Sequence, residues 1–281
     1  MASRKGKTEQ YLSKKGSRSL IGFSSLAQNA RRLPGPATII ASSSASPIDA
    51  LYLAAIFDPV FTASFPSTRL VQPVTLFQAI LRAFLPPQEV PHPEARLVDL
   101  ATMVAQNSNQ AVVVFPECTT TNGKAILPFA PSLLTAPRKT KVFPVSLRYS
   151  PSDITTPIPV SFGTFLWNLC SKPTHCIRVR IAEAIYNTAA EAVVDELEEK
   201  TAAHAANHSD AFSENLTSEK ERGVGGQNSQ AAVSRNEKMF LDKIAEALAR
   251  LGRAKRVGLG VLDKKSFVAH WTRSRSRSRR W

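Results

Sequence analysis

The sequence contains few of the residues on which several classes of protein depend. Its 281 residues include three cysteines, and aromatic residues make up 7%. Cys118, Cys170 and Cys176 are an odd number at spacings unlike those of zinc sites, so we expect reduced thiols in or near the core and no metal site. The few aromatic residues form no clustered set of the kind that stacks on single-stranded nucleic acid.

Long apolar runs are also missing. A helix that crosses a bilayer needs about 20 consecutive apolar residues, and the nearest candidate, residues 50–65, is interrupted by Asp58 and Pro59. The N-terminus has no apolar stretch of roughly 7–15 residues, which a secretory signal requires. We therefore expect a chain that does not span a bilayer but can lie on the surface of one.

Positive charge exceeds negative charge. The chain has 36 Lys and Arg against 22 Asp and Glu, a net charge of +14, and much of the excess lies in its two ends. Such an excess favours nucleic acid, anionic lipid or phosphorylated small molecules as partners. The Arg/Ser run at 273–280 is predicted to be disordered unless bound. It is either a solvated tail or a segment that binds RNA, an anionic membrane, or a partner after serine phosphorylation. No RNA-binding motif is recognised, so a nucleic-acid partner is the weakest of these hypotheses.

The 43% apolar residues suffice for a packed core. Runs typical of strands alternate with helical patterns, which predicts an α/β fold with a mixed, largely parallel sheet flanked by helices. Strands are predicted within 37–42, 60–65, 110–117, 141–149 and 175–185. Helices are predicted at 49–57, at 72–84 with Pro73 in the first turn, at 95–107, and at 236–252 with Gly252 as the stop.

Composition divides the chain into four parts. We predict a basic, disordered N-terminal segment at 1–35 and an α/β core at 36–190. A helical C-terminal region follows at 191–262, with a flexible insertion near 213–235 that is polar and contains glycines. The basic Arg/Ser tail occupies 263–281.

Two polar loops directly follow predicted strands. Ser44 and Asp49 follow the first strand, and Glu117 ends a later one, ahead of Thr119–Thr121 and Gly123. Ligands bind at loops after strand ends in α/β sheets, and hydroxyls with a glycine suit a phosphate or a glycerol. A threonine-rich capping loop, with Glu117 as a cap, explains the second loop equally well.

The order of these segments resembles the glycerolipid acyltransferase family, of the lysophosphatidate acyltransferase type. That family has an H-x4-D block, an arginine-bearing block, F-P-E-G-T-R-S and a V-x-P-[IV] strand. The matching segments here are Ser44 to Asp49, "FTASFPSTRLVQ" with Arg69, Phe115 to Thr121, and Val142 to Val145. The residues in these blocks are most similar to those of a fungal branch of lysophosphatidic acid:oleoyl-CoA acyltransferases.

The resemblance implies an enzyme that acylates a lysophospholipid, most simply lysophosphatidate to phosphatidate, with acyl-CoA as co-substrate and no bound cofactor. It implies a location at the cytosolic face of the endoplasmic reticulum membrane or at a lipid droplet. The residues carried over for catalysis are Asp49 and Ser44. Those carried over for substrate binding are Arg69, Glu117, Thr119, Thr120 and Gly123.

Two positions depart from the family pattern. Ser44 replaces the histidine that serves as general base, and Thr120 replaces an arginine that contacts phosphate. Three explanations remain open. Asp49 itself, His92 or His175 serves as the base; the protein binds lipid or acyl-CoA without turnover; or the chain is an imperfect copy of an enzyme.

Overall fold

A computed structural model describes residues 32–159, 162–188 and 233–278, with the backbone alone for 275–278. Within those residues, strands run over Ile39–Ser42 (β1), Val60–Ala63 (β2), Gln72–Val74 (β3), Val112–Val114 (β4), Ala125–Ile126 (β5), Val142–Ser150 (β6), Cys176–Ile181 (β7) and Lys255–Arg256 (β8). Helices run over Pro47–Phe57 (α1), Leu76–Arg82 (α2), Leu100–Gln106 (α3), Phe162–Cys170 (α4), Arg235–Gly252 (α5) and Val261–Ser278 (α6). Short 3-10 turns cover Pro131–Thr135 and Ser152–Ile154.

The main sheet has six strands in the order β3-β2-β4-β1-β6-β7. The four central strands, β2, β4, β1 and β6, are parallel, and the edge strands β3 and β7 are antiparallel to their neighbours. Ile39 pairs with Val112 on one side and with Val142 on the other. The predicted fold class, mixed and largely parallel, is confirmed. Because β1 and β4 are parallel neighbours, the loops that follow them meet at one edge of the sheet.

Helices cover both faces of the sheet, which accounts for the uninterrupted apolar strands. Ile39 packs with side chains from α3 and α5, among them Phe240 and Ile244. The next residue, Ile40, packs on the opposite face with Leu53 of α1. Helix α5 therefore shares a core with the sheet. The predicted boundary at 190 lies outside the described residues, as do residues 1–31 of the predicted N-terminal segment and most of the insertion predicted near 213–235.

The helix predicted over 72–84 is divided in the structure. Residues Gln72–Val74 form the edge strand β3, where Pro73 lies opposite Thr62. Proline is tolerated at a sheet edge because its missing N–H breaks no internal ladder. Helix α2 then begins after Thr75, whose side chain and that of Gln78 cap each other's backbone N–H groups. Likewise, α3 begins at Leu100 and not at 95, since Val98 pairs with Val71.

The C-terminal predictions have mixed outcomes. Helix α5 ends at Gly252 as predicted, and Arg253 follows in a left-handed conformation. By contrast, α6 continues to Ser278, where a disordered tail was predicted from 273 onward. Arginine is a good helix former, so a helix already anchored at the buried Val261 extends into the Arg/Ser run. The cysteine prediction was wrong for Cys170 and Cys176, which are exposed free thiols.

A small second sheet connects the C-terminal region to the polar loops. Strands β5 and β8 are parallel, with Ala125 opposite Lys255 and Ile126 opposite Arg256. Strand β5 closely follows Gly123 and the loop Thr119–Thr121, called the threonine loop below. This pairing therefore holds the start of α6 beside the threonine loop. A residue far along the chain can thus reach the predicted site.

Candidate functional site

The loop after β1 is organised around Asp49. Its Oδ2 accepts hydrogen bonds from the backbone N–H of Ala45 at 2.6 Å and of Ser46 at 2.8 Å. Its Oδ1 accepts one from the hydroxyl of Tyr149, at 2.5 Å. Ser46 caps α1 and donates its hydroxyl to the carbonyl of Ile154 at 2.6 Å. Asp49, the third residue of α1, thus completes a capping box with Ser46. It is also a candidate acid/base group.

Asp49 is buried, with 1% of its surface exposed. Burial raises the pKa of Asp49 to about 6, although the hydrogen bonds from Tyr149, Ala45 and Ser46 favour the charged form. The carboxylate is therefore ionised at neutral pH, but it is a stronger base than an ordinary aspartate.

The loop after β4 is organised around Glu117, which is also 1% exposed. Its Oε2 accepts a hydrogen bond from the backbone N–H of Leu127 at 3.0 Å, while Oε1 has no hydrogen-bond partner within the described part of the chain. Burial raises the pKa of Glu117 to about 8. The backbone N–H groups of Leu127 and Ser44 and the charge of Lys264 lower it in part, while Asp49 adds to the increase. Glu117 consequently holds its proton at neutral pH.

The threonine loop is attached to the first loop by hydrogen bonds. Thr121 donates its backbone N–H to the carbonyl of Ser44 at 2.8 Å. The hydroxyl of Thr120 donates to the carbonyl of Thr156 at 2.5 Å. Gly123 has φ of +67°, a left-handed conformation that suits glycine and turns the chain toward β5. The two predicted loops therefore form one unit.

A cavity opens where the two loops meet. Of the predicted site residues, Ser44, Asp49, Thr119 and Thr120 line it. Glu117 is buried next to these residues, and Gly123 shapes the loop without lining the cavity. The structure thus brings together the two polar loops that the sequence predicted at strand ends.

Arg69 lies apart from this cavity. Its guanidinium forms a bidentate ion pair with Glu237 of α5, with N–O distances of 2.5 and 3.1 Å. It is not among the residues that line the cavity. The role of Arg69 at a substrate phosphate stays a prediction. The ion pair that Arg69 forms with Glu237 joins the core to α5.

Two cations at the site, Arg82 and Lys264, were not predicted from the sequence. Arg82, in the last turn of α2, lines the cavity. Lys264, from α6, contacts the threonine loop: its Nζ lies 2.7 Å from Thr119 Oγ1 and also donates to Thr120. Thr120 is the position at which the family pattern has arginine. No local motif marks either cation.

No histidine of the described residues lines the cavity. His92 is exposed, and His175 makes a contact of 2.9 Å with the carbonyl of Leu169. Cys118 does line it, in a left-handed conformation with φ of 58°. Burial raises the pKa of its thiol to about 12, so this sulfur is neutral and a poor nucleophile.

Within the described ranges, no helix has the length and apolar character needed to cross a membrane. Nor does that part of the chain contain three or more His, Cys, Asp or Glu side chains grouped so that they could hold a metal ion.

Comparison with known proteins yields a distant match. No family model matches the chain, and no solved structure matches it. A protein of Schizosaccharomyces pombe, named "Putative lysophosphatidic acid:oleoyl-CoA acyltransferase", is 26% identical over 147 residues. The match covers 52% of this chain and 49% of that protein, so the chain spans about half the length of the curated relative it matches. It supports a distant relationship to acyltransferases of lipid metabolism, in agreement with the resemblance seen in the motif blocks.

Proposed function

We propose that the protein transfers an acyl chain from acyl-CoA to the free hydroxyl of a lysophospholipid, with lysophosphatidate as the acceptor. The relative's name supports the choice of both substrates. The observation that carries the proposal is the meeting of two loops on neighbouring parallel strands. Ser44 and Asp49 from one loop and Thr119 and Thr120 from the other line a single cavity.

In the proposed reaction, the acceptor oxygen attacks the thioester carbonyl carbon. A C–O bond forms, the C–S bond breaks, and the proton of the hydroxyl ends on the CoA thiol. Asp49 is the ionised group at the cavity, and a raised pKa of about 6 brings it into the range of carboxylates that act as general bases. Thr119 offers its hydroxyl to the acceptor, while the hydroxyl of Thr120 is already donated to Thr156. Ser44 lines the wall at the position that holds histidine in the family pattern.

Acyl transfer from labelled oleoyl-CoA to lysophosphatidate in mixed micelles tests this function. The full chain is compared with Asp49→Asn, and Asp242→Asn serves as the control because that exposed carboxylate pairs with Arg256 on the surface. We expect product from the wild type and the control. Asp49→Asn should form product at least about 100-fold more slowly, as loss of a general base does. Equal rates in all three proteins would remove Asp49 from the mechanism.

A second candidate, a lipid- or acyl-CoA-binding protein without turnover, has its own support. No histidine among the described residues lines the cavity, and both oxygens of Asp49 already accept local hydrogen bonds. This candidate predicts binding of lysolipid or acyl-CoA with no product from any variant. Product formed by the wild type would exclude it.

We also propose that the protein works at a membrane surface, on the cytosolic face of the endoplasmic reticulum or on a lipid droplet. Helix α6 supports this location because Leu262, Phe267 and Trp271 are exposed and the two aromatic rings stack with their centroids 6.2 Å apart. Exposed aromatic residues on a basic helix suit the lipid–water interface. Flotation with phosphatidate-containing vesicles tests it, and equal flotation of wild type and Phe267→Ala/Trp271→Ala would count against the role of α6.

A further inference from the structure

Arg82 is a cation at the cavity without a carboxylate partner. Its guanidinium lies 4.9 Å from the centre of the Phe65 ring, and its Nη1 donates to the neutral amide of Gln88 at 3.3 Å. No ion pair connects it to an Asp or Glu of the described residues. Burial lowers its pKa, and the neighbouring Cys118 does not offset its charge because that thiol is neutral.

Lys264 is a second such cation, in contact with the threonine loop. Its Nζ donates to Thr119 Oγ1 at 2.7 Å, to Thr120 Oγ1 at 3.2 Å and to the carbonyl of Thr120. These three oxygens satisfy its hydrogen bonds without neutralising it. Burial lowers the pKa of Lys264 to about 8 and the nearby Glu117 raises it in part, so the amine is charged at neutral pH. No carboxylate of the described residues forms an ion pair with it.

The acidic groups nearby do not cancel these charges. Glu117, which interacts with Lys264 electrostatically, holds its proton at neutral pH because burial raises its pKa to about 8. Asp49 is ionised but is engaged by Tyr149 and two backbone N–H groups. Two half-buried cations therefore lie near one ionised carboxylate: Arg82 lines the cavity, and Lys264 contacts the threonine loop that forms part of its wall. Burying charges without opposite charge is costly, and an anionic ligand would offset that cost.

We propose that Arg82 and Lys264 form a binding site for a phosphate monoester, with the hydroxyl of Thr119, which Lys264 contacts, as a further donor. Charged donors and hydroxyls together make the short, strong hydrogen bonds that phosphate oxygens accept. The site rests on the proposed function for the identity of its ligand. The headgroup of lysophosphatidate and the 3′-phosphate of CoA are both phosphate monoesters, and the shared chemistry is what the site recognises.

Binding measurements on the full chain test the site. Dissociation constants are determined for lysophosphatidate and CoA, and for their counterparts without the monoester, 1-oleoylglycerol and 3′-dephospho-CoA. We expect Lys264→Gln and Arg82→Gln each to weaken binding of one phosphorylated ligand by about tenfold, the size typical of a lost charged hydrogen bond. Binding of its dephosphorylated counterpart should not change. Lys265→Gln is the matched control, because Lys265 is exposed on the same helix and pairs with Glu89.

The pattern of losses separates the two sources. Weaker lysophosphatidate binding alone assigns the lipid headgroup, and weaker CoA binding alone assigns the nucleotide. Lys264→Arg, which keeps the charge, should retain most of the affinity and shows that the losses do not come from misfolding. Unchanged constants for both ligands in both variants would overturn the proposal, as would a wild type that binds neither ligand.

The binding measurements test the phosphate site whether or not the protein forms product. Phosphate-dependent binding that weakens in the variants, in a protein that forms no product, supports the site and removes the acyltransferase proposal. Product formed by the wild type, with binding unaffected in Lys264→Gln and Arg82→Gln, removes the site and leaves the acyltransferase proposal intact.

Discussion

The loops after β1 and β4 each bury one carboxyl group at the same edge of the sheet, but the two carboxyl groups have different hydrogen-bond partners. Asp49 accepts hydrogen bonds on both oxygens, from two backbone N–H groups and from Tyr149. Glu117 has one partnered oxygen, and its Oε1 has no partner among the described residues. The pKa of Asp49 is raised to about 6 and that of Glu117 to about 8. Equal burial therefore yields an ionised group in one loop and a protonated group in the other.

The difference in pKa has two causes: Asp49 accepts more hydrogen bonds than Glu117, and the charge of Asp49 raises the pKa of Glu117 further. Burial penalises both carboxylates, and the number of donors aimed at each determines how much of that penalty remains. At neutral pH the pair supplies one proton acceptor and one proton donor beside the same cavity, an arrangement suited to acid–base work. Four substitutions test this comparison, in order of decreasing expected effect.

Glu117→Gln should have the largest effect on stability. A carboxyl whose pKa rises from 4.5 to about 8 on folding binds its proton more tightly in the folded protein. The free energy of unfolding therefore falls as pH rises through this window. The difference between wild type and Glu117→Gln should change by about 3 kcal/mol between pH 5 and 8, in favour of the variant. Urea unfolding at both pH values measures this difference, and Glu94→Gln, at an exposed position, is the control. If wild type and Glu117→Gln have the same pH dependence, folding does not raise the pKa of Glu117.

Asp49→Asn should act in a lower and narrower window. The pKa of Asp49 rises from 3.8 to about 6 on folding, so its ionisation also destabilises the folded protein as pH rises, but only up to pH 6. We expect the stability difference from wild type to change by about 2 kcal/mol between pH 4 and 6 and little above that. The same unfolding titration checks this. If the stability difference kept changing up to pH 8, the pKa of Asp49 would be as high as that of Glu117, and the two carboxyl groups would not differ in charge at neutral pH.

Tyr149→Phe removes one of the three donors to Asp49. Losing a hydrogen bond to a charged group should lower the free energy of unfolding by about 2 kcal/mol at pH 7 and should raise the pKa of Asp49 further. Tyr52→Phe is the control, because the hydroxyl of Tyr52 has no hydrogen bond within the described ranges. Thermal unfolding of both variants at pH 5 and 7 measures the effect. Equal stability of the two would show that the Tyr149 hydroxyl does not support the ionised carboxylate.

Gly123→Ala should have the smallest effect. A Cβ at this position would lie 3.9 Å from the Cβ of Ala45, an ordinary contact, so the cost comes from the φ of +67° alone. We expect a loss of about 1 kcal/mol in the free energy of unfolding. Gly163→Ala in α4, where nothing lies within 4 Å, should instead leave stability unchanged or raise it. Equal changes at the two glycines would mean that the threonine loop is not strained by a side chain at position 123.

Local patterns predicted most of the fold. The runs at 37–42 and 110–117 are rich in β-branched residues and became β1 and β4, because strands buried on both faces need apolar side chains at every position. The division of 72–84 also had a local signal that the helical spacing hid. Thr75 and Gln78 have the spacing of a capping box, which marks a helix start after Pro73.

The site could be predicted only in part. Asp49 and Glu117 were found because each follows a strand, and parallel neighbouring strands bring their carboxyl ends together. The partner of Arg69 was not predictable, since Glu237 lies 168 positions further along the chain. Lys264 was missed for the same reason, being 145 positions from Thr119.

The sequence by itself determined the order of strands and helices and the two polar loops that follow β1 and β4, because these depend on local spacing and on residue type. Tertiary structure alone decided that α6 brings Lys264 to the threonine loop, that Arg69 faces Glu237, and that Glu117 keeps its proton. Contacts over such separations depend on how helices pack on the sheet. The charge of a buried acid depends on which donors that packing leaves beside it.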